Sequence, residues 1–306
     1  MRIKLCGFVV WAVFLACGLM SCQQEDRPHG VQYPIVFSNS SETRATATED
    51  DLMKDGFTVY AFVQGNAGST SFAKDVVYNT TSSVWSFTSP EYWIPNTAYY
   101  FKAFYPKALT SGTLEVDTSK SDLDFTIEGF DAVNHQQDIM VASATATVPI
   151  GASHPGNSSI VNLNFQHLLA CIDIQMTSAI TGVIITNITL EDADTNGSYD
   201  SATGEWSAKD SGAITITPED GALSSTTPKS VTNDGFLVIP GDALGKTLVI
   251  ETNINKTYRV PLPDKTWAKG NKYTYTAEVK QSNIIFNEPK VDEWDSENAT
   301  GSVIIK

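Results

Sequence analysis

Cysteine, basic side chains and histidine are all scarce in this chain, and each scarcity excludes a class of protein. Four cysteines occur in 306 residues, and Cys6, Cys17 and Cys22 fall within the first 22. That leaves Cys171 alone, and a single thiol forms no internal disulfide. Cys171 lies in the apolar stretch Leu169-Ala170-Cys171-Ile172-Asp173-Ile174 with no activating base beside it, so it reads as a small core residue. Lys and Arg number 20 against 35 Asp and Glu, with no basic cluster. Such a surface repels nucleic acid, which is excluded as a partner. The histidines are His29, His135, His154 and His167, and no two have metal-ligand spacing. His167, beside Phe165, reads as a satisfied structural histidine. There is no Gly-x-Ser-x-Gly, no His-Glu-x-x-His and no cysteine pair. No enzyme, metal or cofactor is therefore expected.

Two partial motifs carry little. Asp192-Ala193-Asp194-Thr195-Asn196-Gly197 matches the first half of a calcium loop, but Thr203 stands where a bidentate acid belongs, with Asp200 or Glu205 as substitutes. An Asn-Gly hairpin turn accounts for the same residues, and whether residues 192–200 bind calcium stays open. Gly241-Asp242-Ala243-Leu244-Gly245-Lys246-Thr247 approaches a phosphate loop, but Pro240 stands where the first glycine belongs. Carboxylates such as Asp122/Asp124 and Asp292/Glu293 fit exposed turns. Tyr92-Trp93 and Trp85 are candidates for a carbohydrate platform, although β-sandwich cores use such residues routinely.

What the chain has begins at its start. Arg2 and Lys4 precede an apolar run from Leu5 to Leu19, followed by Leu19-Met20-Ser21-Cys22. The run is too short to span a bilayer with margin, so residues 1–21 read as a signal peptide cut at a lipobox. The Cys22 thiol would carry a diacylglycerol and the new amine an acyl chain such as palmitate. Each buried methylene contributes about 0.8 kcal/mol, so two or three chains anchor stably where one does not. Removing residues 1–21 takes away two basic and no acidic residues, leaving a net charge of −17. That charge repels anionic lipid, so the lipid alone is expected to hold the membrane.

Residues 22–30 read as a polar tether, Tyr33-Pro34-Ile35-Val36-Phe37 as an extended segment and residues 38–51 as an exposed, mobile loop. From Gly56 onward β signals dominate, with no long helical-period segment. Phe57–Val63, Val84–Phe87, Tyr99–Tyr105 and Asp138–Ala142 are dense in aromatic and β-branched residues. Residues 151–159 look like a domain boundary. A second β series covers residues 160–176, 183–190, 213–217, 235–239, 248–252 and 271–280. Tyr273, Tyr275, Ala277 and Val279 alternate with polar residues, as in a strand with one buried face. Thr203–Trp206 and Trp267–Asn271 read as tight turns feeding strands. Many short strands point to an all-β fold of two β-sandwiches in tandem, residues 31–158 and 159–306. The terminal run Ser302-Val303-Ile304-Ile305-Lys306 either closes its own sheet or pairs with another chain's edge.

Five stretches stand out in order along the chain: Thr43-Arg44-Ala45 followed by Leu52 and Gly56-Phe57-Thr58-Val59-Tyr60-Ala61, then Tyr99–Pro106, then Leu163-Asn164-Phe165-Gln166-His167-Leu168-Leu169-Ala170, then Trp267–Tyr275, and last Val291-Asp292-Glu293-Trp294. Together they resemble the fimbrillins, lipoprotein pilins and surface adhesins of anaerobic gut and oral bacteria.

The resemblance implies transthyretin-like sandwiches and export as a lipoprotein to the outer membrane surface. It implies cleavage between Arg44 and Ala45 by an arginine-specific protease, departure of the strand in residues 31–40, and filling of its groove by a donor strand from a neighbour. Here the donor would be residues 302–306. The expected partners are copies of the chain or sibling pilins in a fimbrium, with a host surface ligand possible for an adhesin. The alternative is a monomeric, lipid-tethered binding module for host glycan or protein. A head-to-tail strand contact does not close on itself and so yields a filament.

Overall fold

The computed structural model describes residues 32–39, 49–156 and 159–293. In chain order the elements are β1 (Val36–Asn39), α1 (Glu49–Asp55), β2 (Phe57–Gly65), β3 (Gly68–Asn79), β4 (Val84–Phe87), β5 (Thr97–Tyr105), β6 (Thr113–Val116) and β7 (Phe125–Asp131). There follow β8 (Met140–Val148), β9 (Ile160–Leu163), β10 (Gln166–His167), β11 (Ala170–Ser178), β12 (Ile185–Asp200), β13 (Glu205–Ile216), β14 (Lys229–Ser230) and β15 (Phe236–Val238). The last are β16 (Gly241–Asp242), β17 (Thr247–Thr252), β18 (Thr257–Pro261), β19 (Thr266–Trp267), β20 (Asn271–Val279), β21 (Ile284–Phe286) and β22 (Lys290–Glu293). The protein is all-β, and α1 is the one helix among the described residues.

The first sheet runs β10-β8-β5-β2-β3-β4-β1-β9. The second runs β14-β11-β20-β21, with β15 added on β11 and β22 on β20. The third runs β18-β17-β12-β7-β6, with β13 along the other side of β12. A small pair, β16-β19, stands apart. Branched and aromatic side chains favour the pleated backbone, and their alternation sends every second one inward. On β20, Tyr273, Tyr275, Ala277 and Val279 are all buried, as their spacing predicts.

Three apolar clusters result. One gathers Phe37, Phe57, Trp85, Phe101, Leu163 and Phe165 under the first sheet. A second holds Ile172, Ile174, Leu190, Ile250, Trp267 and Tyr275. A third joins Phe104, Phe125, Phe130, Leu168, Tyr199 and Leu237. Strand pairing crosses residue 158 in both directions. β9 and β10 add to the first sheet, whereas β7 pairs with β12 through Asn196↔Asp131, Gly197↔Phe130, Tyr199↔Ile127 and Asp200↔Thr126.

Four local readings are corrected. Residues 38–39 and 49–51 are not loop, because β1 runs to Asn39, α1 starts at Glu49 and Leu52 is fully buried. Gly56, at φ 71°, ends the helix by donating its N–H to Leu52 O (2.8 Å). A Cβ there would fall 2.2 Å from Val76 O, so the position requires glycine. Asn196-Gly197 is not a hairpin turn but part of β12, which runs through it by bulges between Leu190 and Gly197. The turn comes later, at residues 201–204, where Gly204 N–H donates to Asp200 O (2.8 Å). Asp292 and Glu293 belong to β22 rather than to a turn. Trp85 and Trp93 are 2% and 4% exposed, so they cannot form a carbohydrate platform.

Cys171 is fully buried, as its sequence context predicts. Desolvation pushes its thiol up to about 12. Gly235 lies against it at φ 130°, where a Cβ would come within 2.4 Å of the sulfur. Burial likewise raises the Tyr105 and Tyr275 hydroxyls to about 12 from 10.0. These groups ionise more easily unfolded, so they favour the fold fully below the unfolded values and lose that contribution as pH rises toward the folded ones. The urea midpoint is therefore expected to fall between about pH 9 and 12. A midpoint that stays flat across that window would show these groups to be solvated in the native state.

Candidate functional site

The segment Tyr33-Pro34-Ile35-Val36-Phe37 becomes the seated strand β1. Pro34 has no N–H to give, and it lies before the strand proper, at an isolated bridge to Tyr92. Ile35 N–H donates to Glu91 O (2.8 Å), and Trp93 N–H donates to Tyr33 O (3.1 Å). From Val36 the strand is held on both sides. It pairs antiparallel with β4 (Val36↔Ser86, Phe37↔Trp85) and parallel with β9 from Val36↔Ile160 to Asn39↔Leu163. Ser38 Oγ also donates to Asn162 Oδ1.

Alternation turns Ile35 and Phe37 inward, and both are buried. The Phe37 ring meets Phe87 and Phe101 edge-on, at centroid separations of 5.3 and 5.5 Å. Such burial contributes roughly 1.5–3 kcal/mol per side chain, and each main-chain hydrogen bond about 0.5–1.5 kcal/mol net. Taking β1 out would leave two facing strand edges and an apolar slot walled by Phe87 and Phe101. An extended segment with alternate apolar side chains is the chemistry that fits such a slot.

Cys22, Arg44, Ala45 and residues 302–306 lie outside the described residues. In sequence, Arg44 falls between the end of β1 at Asn39 and the start of α1 at Glu49. The helix beyond it is docked by Leu52, which is fully buried. The parallel partner β9 was not foreseeable from local pattern, because it lies more than 120 residues from β1.

The two partial motifs meet each other. Lys246 Nζ donates to Asp192 O (3.0 Å) and Asp194 Oδ2 (3.1 Å), and it sits 5.9 Å from the Trp267 ring centre. The lysine of the phosphate-loop stretch thus neutralises an aspartate of the calcium-loop stretch. Among the described residues, no group of three or more His, Cys, Asp or Glu could hold a metal ion. His167 is buried, with Nδ1 2.9 Å from Asp138 Oδ1. A cavity of about 380 Å³ beside it includes Gln166, Tyr199, Lys269 and Glu293 in its lining. Lys269 Nζ there already donates to Tyr199 OH (2.9 Å) and Gly204 O (2.7 Å).

Residues 43–294 match the family model described as Fimbrillin-like. No curated protein matches. Among solved structures, the fold is similar to a fimbrial protein from Bacteroides vulgatus, with a TM-score of 0.61 and 17% identity over 86% of this chain and all of that one. It is also similar to a protein assigned to cell adhesion from Bacteroides uniformis (TM-score 0.55, 14% identity, 85% of this chain and 98% of that one). A third, from Bacteroides ovatus and likewise assigned to cell adhesion, gives a TM-score of 0.54 at 16% identity, covering 88% of this chain and all of that one.

Proposed function

This chain belongs to the fimbrillin-like family, whose model spans most of it, and from that premise we propose that it is a fimbrial subunit or fimbria-associated surface adhesin assembled by strand exchange. In this reading the chain is exported as a lipoprotein anchored through Cys22 at the outer membrane surface. Cleavage between Arg44 and Ala45 frees β1, and the vacated slot accepts residues 302–306 of a neighbouring subunit. Its role is binding and assembly, without catalysis. Two sandwiches in tandem present the groove, the first carrying β1.

The observation that supports the reading best is the seating of β1. It is a short strand near the N-terminus, paired on both sides, with its apolar face in the core and a lone arginine soon after it in sequence. The donor candidate has matching chemistry, since Val303 and Ile305 alternate as Ile35 and Phe37 do.

The test is limited digestion of the folded chain starting at residue 23 with an arginine-specific protease, followed by mass spectrometry and size-exclusion chromatography. Cleavage after Arg44, loss of the 23–44 peptide and growth of multimer ladders are expected. An uncut protein, or a cut protein that keeps residues 31–40 and stays monomeric, would turn the reading toward a tethered binding module.

A further inference from the structure

Among the described residues, the end of the first sheet where β1 enters carries no unpaired formal charge. Four segments meet there: the entry Gln32–Ile35, the β2–β3 turn at Gly65–Gly68, the loop Tyr92–Asn96 and the turn Pro149–Gly156. None contains Asp, Glu, Lys or Arg. Their common location follows from pairing. Gly65 and Val148 both lie opposite Thr97, and the Tyr33 ring packs edge-on against His154 at 4.6 Å. The charge nearest in sequence, Glu91, is ion-paired with Lys74. At the far end of the same strands stand Lys54, Asp55 and Lys107. Along the chain, no charged residue occurs from Ile139 to Ile172.

That neutral end also carries apolar side chains outward. Ile150 is 83% exposed and Ile94 56%, with Tyr92 and Ile160 exposed beside them. A slot of about 420 Å³ opens between β8 and β9, lined among others by Trp93, Ala144, Pro155 and Val161, and its lining is uncharged too. Isolated surface isoleucines need no explanation, but a group of them on an uncharged end of an acidic protein does.

Resting on the lipid-anchor reading above, we propose that this end seats on the surface of the bilayer that holds Cys22, with Ile94 and Ile150 dipping into the interface. Only nine residues separate Cys22 from Gln32, ten steps along the chain, so Gln32 lies within about 35 Å of the anchor. The chain enters the fold at this end, which the tether therefore holds near the lipid. A body with a net charge of −17 is repelled by an anionic surface, and an uncharged end is the one that approaches with least repulsion. Aromatic rings with polar tips, such as Tyr33 and Tyr92, suit the headgroup region.

The test uses the full lipoprotein carrying Ile150→Cys, labelled with a polarity-sensitive dye and reconstituted in phosphatidylcholine vesicles. Cys171 is buried and does not compete for the label. Leu244→Cys, at a site 69% exposed in the other half of the chain, is the control. The dye at 150 is expected to shift to the blue and to become several-fold less quenchable by aqueous iodide on reconstitution, while the dye at 244 does neither. Adding Ile94→Glu is expected to restore quenching at 150. A dye at 150 that stays as quenchable as at 244, with lipid confirmed on Cys22 by mass, overturns the seating while the anchor stands. The same shift in the soluble chain from residue 23 without vesicles assigns this end to a second copy and also overturns it. A Cys22 without lipid removes the anchor reading, and this inference with it.

Discussion

Phe37→Ala is expected to destabilise the protein by about 3–5 kcal/mol, the range for truncating a fully buried aromatic ring. Whole domains are stable by only about 5–15 kcal/mol, so the loss is a large fraction of the total. The change removes the ring that meets Phe87 and Phe101 and leaves a cavity in the first core. Ser38→Ala, one residue on, removes the hydroxyl that donates to Asn162 and is expected to cost about 0.5–1.5 kcal/mol. Denaturant unfolding of the two variants decides what holds β1. If Phe37→Ala costs no more than Ser38→Ala, the strand is held by its pairing and not by its apolar face, and the slot has no strong preference for a donor's side chains. On the strand-exchange reading, Phe37→Ala is also expected to speed displacement of β1 by a peptide of residues 301–306, because β1's hold is weaker while the slot's own walls are unchanged.

The legible part of this fold is the part that depends on near neighbours. β5 and β20 announced themselves because each alternates or concentrates aromatic and branched residues over nine positions. Cys171 reads as a core residue by the same logic, and it is fully buried. Residues 49–51 read as loop in sequence because a seven-residue helix is too short for its period to show, and among its described side chains the deeply buried one is Leu52. Asn196-Gly197 reads as a turn in sequence because a turn signal is a local preference. Pairing of β12 with β13 on one flank, and with β17 and β7 on the other, overrides it and absorbs the irregularity in bulges. At the candidate site, the sequence showed an extended apolar segment before an arginine. It did not show that the segment sits between β4 and β9, because partners distant in the chain leave no periodic trace near it.

Two polypeptides divided between residues 158 and 159 are expected not to fold separately. The N-terminal piece would lose β9 and β10, so β1 would keep one neighbour and Leu163 and Phe165 would leave the first core. Its β6–β7 hairpin would lose β12, stripping cover from Phe125, Ile127 and Phe130. Five large apolar side chains at roughly 1.5–3 kcal/mol each amount to about 7–15 kcal/mol, which is the whole stability of an ordinary domain. The C-terminal piece would lose the β7 flank of β12 and the Phe104 and Phe125 rings of the third cluster. Near-UV circular dichroism and amide dispersion in NMR spectra are expected to be collapsed for each piece alone and restored on mixing. Sharp native spectra for both pieces in isolation would mean that the crossing strands add little and that the two halves are energetically independent. The distinction bears on assembly. On the strand-exchange reading a subunit carries tension from one neighbour to the next, and two independent halves would yield at whichever is weaker. Strands lent in both directions oblige the two halves to unfold together, so the load is resisted by the stability of the whole.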